Sequence, residues 1–357
     1  MSNSRKKITL RDVAKKAGVS AATVSLVMQG KGTLKAETRM TVERVIDEIG
    51  YQRRSGQNVS SGNKQFVLVV DDVENPYFHA LYKGLDQSLG EAGHYVTLMS
   101  SNDSVERQSR LLESLWSTEI GGVVLVPATG TTNADLHPFQ NRLRPLILAV
   151  RRIGPTVFDY VGANPMVGMQ IATERLIELG HKKISFIGGY QANYAYNERY
   201  AGFAASLMKH GIDLNTDWVL NGGSNREFGR QAMRQLLSMP NAPKALIAYN
   251  DVVAIGAMNA ISAVGLMPGK DVAVIGYDDI PEAALQAVPL TSVATPADSL
   301  GEVIGRAILA RSGDGVAGSP LDITYPPRLV TRKSCGKQIV EPQSLDRNIL
   351  NEDTDTF

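Results

Sequence analysis

The sequence predicts an all-α helix-turn-helix headpiece followed by an α/β body of two doubly wound parallel-sheet subdomains. Three observations predict it. Positive charge is gathered at the N-terminal end, the first fifty residues carry helix-period apolar stripes punctuated by glycine, and from Phe66 onward short apolar runs alternate with amphipathic stretches.

Charge comes first because the overall balance of +1 conceals it. Through Lys64 there are 13 Lys and Arg against 5 Asp and Glu, leaving 24 against 31 for the rest of the chain. A compact basic end on an acidic body is the footprint of a polyanion binder, since Lys and Arg release counterions condensed on phosphates. With 357 residues and 43% apolar content the chain can build two or three cores. No run of 18 apolar residues occurs, and residues 1–7 are polar and basic, so neither a membrane span nor a secretory signal is expected and the protein is expected in the cytoplasm. The single cysteine, Cys335, excludes an internal disulfide framework.

In the headpiece, Leu10, Val13, Ala14 and Ala17 share one helix face, with Thr9 as N-cap and Asp12 in the capping-box position. Gly18 ends that helix. Ser20 can cap a second, short helix whose inward positions are Val24, Val27 and Met28, leaving Ala21, Ala22, Ser25, Leu26 and Gln29 outward. A third helix from near Ala36 carries Val42, Val45, Ile46 and Ile49 on one stripe and closes a three-helix core. Small outward residues on the second helix suit close approach to a DNA groove.

The stretches "ITLRDVAKKAGVSAATVSLVMQGKG" and "ETRMTVERVIDEIGY" resemble the headpiece of the lactose/galactose repressor family (LacI/GalR). That resemblance implies a DNA-binding domain over residues 7–61, with the helix-turn-helix at about 10–29. It implies DNA contacts by Thr9, Ser20, Ala21, Ala22, Thr23, Ser25, Leu26 and Gln29, with Thr23 and Ser25 on phosphates and positions 21, 22 and 26 facing base edges. Leu26 departs from the Arg that many members carry, so bidentate guanine readout is replaced by apolar contact and indirect readout gains weight. The family's hinge falls on residues 52–64, "QRRSGQNVSSGNK", which lacks the usual Pro-Asn pair and places Val59 at the minor-groove wedge. Read from its residues alone, the same segment is a polar, basic, flexible linker.

In the body, nine apolar runs read as strands: "FVLVV", "YVTLMS", "GGVVLV", "LILAV", "YVGAN", "ISFIGG", "WVLNGG", "ALIAYND" and "VAVIGYDD". Nine strands with intervening helices suggest two parallel sheets. Ligands of open α/β sheets bind at the strands' carboxyl ends, which selects residues 71–78, Arg151, Arg152, Asn164, residues 188–190, Asn250, Asp251 and residues 277–279. For Asp251 and Asp279, capping of the next helix is the better reading.

These segments are similar to the periplasmic-binding-protein-like core of the same family, over residues 65–334. The telling pieces are "DDVENPYF", "RPLILAVRR", "LGHKKISFIGG", "ERYAGF", "YNDVVAIGAM", "DVAVIGYDD" and "PLTSVATPADSLG". The resemblance implies an N-subdomain of about 65–162 and 292–322 and a C-subdomain of about 163–291 and 323–334. It places ligand anchors on Arg199, Asn250 and Asp278, a facing wall on Asn75, Tyr77 and Phe78, and further positions on Arg151 and Ser224. Arg, Asn and Asp form a donor-acceptor set suited to vicinal hydroxyls, which points to a sugar. Phrases such as "TVSLVMQGKG", "TDWVL" and "AYND" are similar to the maltose-system branch. Residues 336–357 have no apolar period and are expected to be disordered.

The implied function is a sequence-specific transcriptional regulator, a repressor that binds a pseudo-palindromic operator as a homodimer and is controlled by a small molecule in the cleft between subdomains. An enzyme is disfavoured: there is no nucleophile elbow, no Walker loop and no metal-ligand spacing among the five His, so no cofactor or metal is expected. The GxGxxG at Gly313, Gly315 and Gly318 lacks the preceding strand and following helix that phosphate binding needs. The alternatives are a cytoplasmic sugar-binding protein, which has no use for a basic headpiece, and a co-repressor-dependent regulator of non-sugar metabolism.

Overall fold

The computed structural model describes residues 9–28, 35–49, 64–140, 142–143, 145–312 and 319–336. Three headpiece helices come first: α1 (Leu10–Ala17), α2 (Ala21–Met28) and α3 (Ala36–Ile49). The Thr9–Asp12 capping box forms at the start of α1, and Gly18, at φ 66°, ends it in the left-handed conformation that glycine adopts without penalty. Ser20 caps α2 by accepting from the Thr23 amide at 3.0 Å. Val13, Ala14, Val24, Val27, Val42 and Val45 make the shared core, with Ile46 packed against it.

The body contains β1 (Gln65–Val70), α4 (Pro76–Glu91), β2 (Tyr95–Ser100), α5 (Val105–Ser114), β3 (Ile120–Leu125), α6 (Asn133–Leu136), β4 (Leu146–Ala149), β5 (Asp159–Ala163), α7 (Pro165–Glu178), β6 (Ile184–Ile187), α8 (Tyr194–Lys209), β7 (Val219–Leu220), α9 (Arg226–Leu237), β8 (Ala245–Ala248), α10 (Asp251–Ala263), β9 (Ala273–Asp278), α11 (Pro281–Leu285), β10 (Thr291–Ala294), α12 (Ala297–Ser312), β11 (Asp322–Tyr325) and β12 (Arg328–Val330). Two six-stranded sheets result, ordered β11-β5-β4-β3-β1-β2 and β12-β10-β9-β8-β6-β7. Every pairing is parallel except β10 with β12. Central strands such as β4, β6 and β8 are buried along their whole length, as parallel strands covered by helices on both faces must be.

The nine apolar runs of the sequence are β1 to β9, and three further strands, β10 to β12, follow them. They are three or four residues long, and β11 alternates between exposed and half-buried positions, too short a pattern to stand out. Their places correct two boundaries. Strand β10 belongs to the second sheet while α12 returns to pack on α4, so the chain re-enters the N-subdomain after residue 294 rather than at 292. Strand β11 pairs with β5, so the final crossing follows residue 325 rather than 322.

Five body helices start on asparagine: Asn75, Asn164, Asn193, Asn225 and Asn250 each accept a backbone N–H of the first turn. Each ends a loop that leaves the carboxyl end of a strand, so the cap residue of the helix and the rim of the cleft coincide.

Candidate DNA-facing helix and effector cleft

On α2, Ala22 and Leu26 are exposed, and Thr23 and Ser25 are half-buried. Ala21 departs from the outward position expected of it: one turn before Val24, it packs against the headpiece core. Thr9 and Ser20 stand at helix starts with their hydroxyls engaged, Thr9 donating to Asp12 at 2.6 Å and Ser20 2.8 Å from the Thr23 hydroxyl. Gln29, Val59, the hinge through residue 63, the glycines at 313, 315 and 318, and the tail beyond 336 lie outside the described residues.

At the junction of the two subdomains, Arg199 from α8 is buried. Its guanidinium lies between the rings of Tyr277, 3.8 Å away, and Tyr249, 4.4 Å away, and donates to the Tyr249 carbonyl. Asp278 faces it at 3.7 Å, closer to a Coulombic contact than to a hydrogen bond. Burial pushes the Asp278 carboxyl up to about 7, against the pull of Arg199 and of a hydrogen bond from Asn75. Since Asn75 begins α4 of the first subdomain, that bond spans the cleft. Asn75 also caps α4 through its Oδ1, which leaves its amide free to donate.

Asn250 follows Tyr249 directly. Its Oδ1 caps α10 and its Nδ2 donates to the Ser224 carbonyl at 3.1 Å, so Ser224 joins the site through its backbone. Tyr77 reaches the same junction: its hydroxyl bonds Thr295, and burial followed by the charge of Asp278 raises its pKa. Phe78 does not join them as expected. It is buried in the apolar core and meets the site only edge-on through Tyr77, at 5.5 Å, because successive helix residues point in different directions.

Arg151 forms a second group. Its guanidinium lies 2.6 Å from Asp71 and 3.1 Å from Asp103 and donates to the Pro127 carbonyl at 3.3 Å. Val150 before it has φ 66°, and the Arg151 amide bonds the Ala149 carbonyl at 2.6 Å. This is a γ-turn centred on a β-branched residue, a strained arrangement that turns Arg151 into the cleft. Arg151, Arg152, Thr131, Thr132, Asn193, Tyr194 and Asn197 are among the residues lining a cavity of about 190 Å³. Asn193 also donates to Thr129 across the cleft at 3.2 Å. The cavity adjoins the Arg199–Asp278 group without including it.

Asp71 and Asp103 were not assigned to the site from sequence, although Asp71 ends the first apolar run and heads the polar stretch 71–78. Asp251 and Asp279 do not cap helices. Asp251 is fully buried, bonded to the Ser292 hydroxyl at 2.6 Å and to the Ile280 amide at 2.9 Å, and Asp279 pairs with Arg332 at 2.7 Å. Both hold the loop that presents Asp278.

Residues 9–54 match the bacterial regulatory proteins of the lacI family, and residues 173–335 match a periplasmic binding protein-like domain. The maltose regulon regulatory protein MalI of Escherichia coli (strain K12) is 30% identical over 339 residues, spanning 92% of this chain and 99% of that protein. The chain belongs to the lacI family. The HTH-type transcriptional repressor PurR of Pasteurella multocida (strain Pm70) is 31% identical over 330 residues, 91% of this chain and 98% of its own. Among solved structures, the transcriptional regulator CelR–cellobiose complex superposes with a TM-score of 0.69 at 29% identity, covering 92% of this chain and 99% of that one. This lacI-family protein is a DNA-binding transcriptional repressor. No helix among the described residues is long and apolar enough to cross a membrane.

Proposed function

We propose that this regulator works in the cytoplasm as a homodimer on a pseudo-palindromic operator, and that a sugar bound between its two subdomains sets its DNA affinity. Thr23, Ser25, Ala22 and Leu26 of α2, with Ser20 at its N-cap, Gln29 after its end, Thr9 at the start of α1 and Val59 in the hinge, are the DNA-facing set, and Ala21 stands behind them against the headpiece core. Asn75, Tyr77, Arg151, Arg199, Ser224, Asn250 and Asp278 are the effector set, with Phe78 behind Tyr77. The observation that carries the reading is convergence: Asn75 and Tyr77 from one subdomain meet Arg199 and Asp278 from the other. Buried donors and acceptors at such a junction serve recognition. The cleft binds and does no chemistry, since its titratable groups are paired with one another rather than set as a nucleophile and its base. The binding of cellobiose by CelR, a structural relative over 92% of this chain, supports a sugar.

The test has two arms. Titration of the full chain against DNA upstream of its own gene should protect a symmetric site of ~14–20 bp, with affinity falling steeply as salt rises. A thermal-shift screen of neutral mono- and disaccharides should yield a ligand that also changes that DNA affinity. A protein that protects no symmetric site, or a stabilising ligand without effect on DNA, overturns the reading.

A further inference from the structure

We propose that Asp71 and Asp103 make the cleft selective for a neutral, hydroxyl-rich ligand and against its phosphorylated or carboxylated counterparts. The proposal rests on the reading of the cleft as the effector site and adds the chemical class it takes. Arg151 lines the cavity and would be the natural anchor for an anion. Its charge is instead matched on two sides, by Asp71 at 2.6 Å and Asp103 at 3.1 Å, and a backbone carbonyl takes a further N–H. The other guanidinium lining the cavity, Arg152, is held by Asp322 at 2.6 Å, and Arg199 beside the cavity faces Asp278. Four carboxylates therefore meet three guanidinium groups, and an incoming anion would have to displace a carboxylate or stand beside those that remain.

A second observation is independent of charge. Among the described residues, Asp71 Oδ1 and Arg199 Nε are buried without a hydrogen-bond partner. Asp71 is 3% exposed and Arg199 7%, so bulk water does not serve them. One needs a donor and the other an acceptor. A hydroxyl group is both, and a polyol offers several at adjustable spacing. Inorganic phosphate or a simple carboxylate only accepts and leaves Asp71 Oδ1 unsatisfied; an ammonium only donates and leaves Arg199 Nε unsatisfied. The two atoms together call for hydroxyls, and the surrounding carboxylates favour the neutral polyol over its phosphorylated or carboxylated counterpart.

The test uses the full chain in calorimetry and thermal shift with ribose, glucose, maltose and cellobiose, set against glucose 6-phosphate, gluconate and inorganic phosphate. The wild type should bind at least one neutral sugar, at least a hundredfold more tightly than the anionic probes. The Asp71→Asn/Asp103→Asn double variant, which keeps size and shape but frees the Arg151 charge, should gain stabilisation by phosphate and glucose 6-phosphate. Should the double variant fail to fold by circular dichroism, Asp103→Asn alone, at a half-exposed side chain, should show a smaller gain of the same sign. A wild type that binds glucose 6-phosphate as tightly as glucose overturns the selectivity and leaves the effector site standing. Wild-type silence toward every neutral sugar, with variants silent toward phosphate, overturns both. Neutral-sugar binding by the wild type and a phosphate response confined to the variants supports the proposal.

Discussion

Asp278 offers the sharpest separation of binding from folding, because its side chain and its backbone do different work. The carboxylate faces Arg199 at 3.7 Å, and Asp278→Ala would leave Arg199 and a bound hydroxyl without their shared acceptor. A charge-assisted hydrogen bond contributes about 1.5–3 kcal/mol, so sugar affinity should fall roughly ten- to a hundredfold. The backbone at Asp278 has φ 111°, outside even the left-handed region that aspartate tolerates. Such a position stores roughly 1–3 kcal/mol of strain. Glycine relieves that strain but adds about 0.5–1 kcal/mol of unfolded-state entropy. The relief wins, and Asp278→Gly should be more stable than Asp278→Ala by up to about 2 kcal/mol, with the same loss of sugar affinity. Urea denaturation of both variants and calorimetry with the sugar found in the screen measure the two effects. Wild-type affinity in either variant refutes the site; a glycine variant no more stable than the alanine one refutes the strain.

In the headpiece, Val24 is fully buried and Leu26 is 38% exposed. Val24→Ala should therefore cost about 1.5–2.5 kcal/mol of headpiece stability, while Leu26→Ala should stay within about 0.5 kcal/mol and weaken operator binding severalfold; reversed effects in melting and operator titration would mean that α2 presents its other face. Val59→Ala should weaken operator binding without altering sugar affinity, and Val59→Leu should tighten it; equal DNA affinity for all three proteins would make the segment a tether alone. Burial lifts Asp71 to about 6 and Asp278 to about 7, against 3.8 for an ordinary Asp. The native state thus keeps protons that the unfolded chain has released above about pH 4, so the contribution of these groups to stability is present below that pH and is lost as pH rises toward 7. Urea titrations between pH 4 and 8 should show a shallower decline in Asp278→Asn than in the wild type, and parallel curves would contradict the burial of a protonated carboxyl.

The sequence made the architecture legible wherever a pattern was long enough to repeat. The capping box at Thr9 and Asp12, the glycine stop at 18 and the valines of α1 to α3 all reappear as read. The body strands through β9 announce themselves as apolar runs, whereas β10 to β12 owe their existence to partners already in place. In the cleft, motif spacing located Arg199 and Asp278, but charge pairing was not legible. Asp103 sits 48 residues from Arg151 and Asp71 sits 80 away, and only the strand order brings them together. Ala21 and Phe78 show the converse limit. Each occupies a position assigned by motif, and each is turned inward by the angle between neighbouring helix residues, which a motif does not encode.

How a cleft could speak to a headpiece follows from where β1 begins and ends. Its first residue, Gln65, comes directly after the segment that leads from α3, and Asp71, the residue after its last, grips Arg151 in the cleft. Six residues of strand span about 20 Å, so cleft and headpiece attachment are the two ends of one short rod. That rod is not free to bend, because it lies between β2 and β3 in the sheet and all its residues beyond Gln65 are fully buried. Helix α4 stiffens the same unit. A Cβ at Gly84 would fall 1.8 Å from the Asp298 carbonyl oxygen of α12, so the two helices touch backbone to backbone. Flexibility must then reside in the loops at the strand ends. There the non-glycine residues of positive φ gather, Asn102, Asp103, Val150, Asp278 and Asp279, all within or beside the cleft. A ligand that draws Asn75 and Asp71 toward Arg199 and Asp278 acts on those strained loops, while the stiff sheet passes the displacement to residue 65 as a rotation. For the dimer proposed above, the sign of regulation depends on which cleft angle aligns two headpieces with two half-sites, a property of that assembly rather than of the ligand's chemistry.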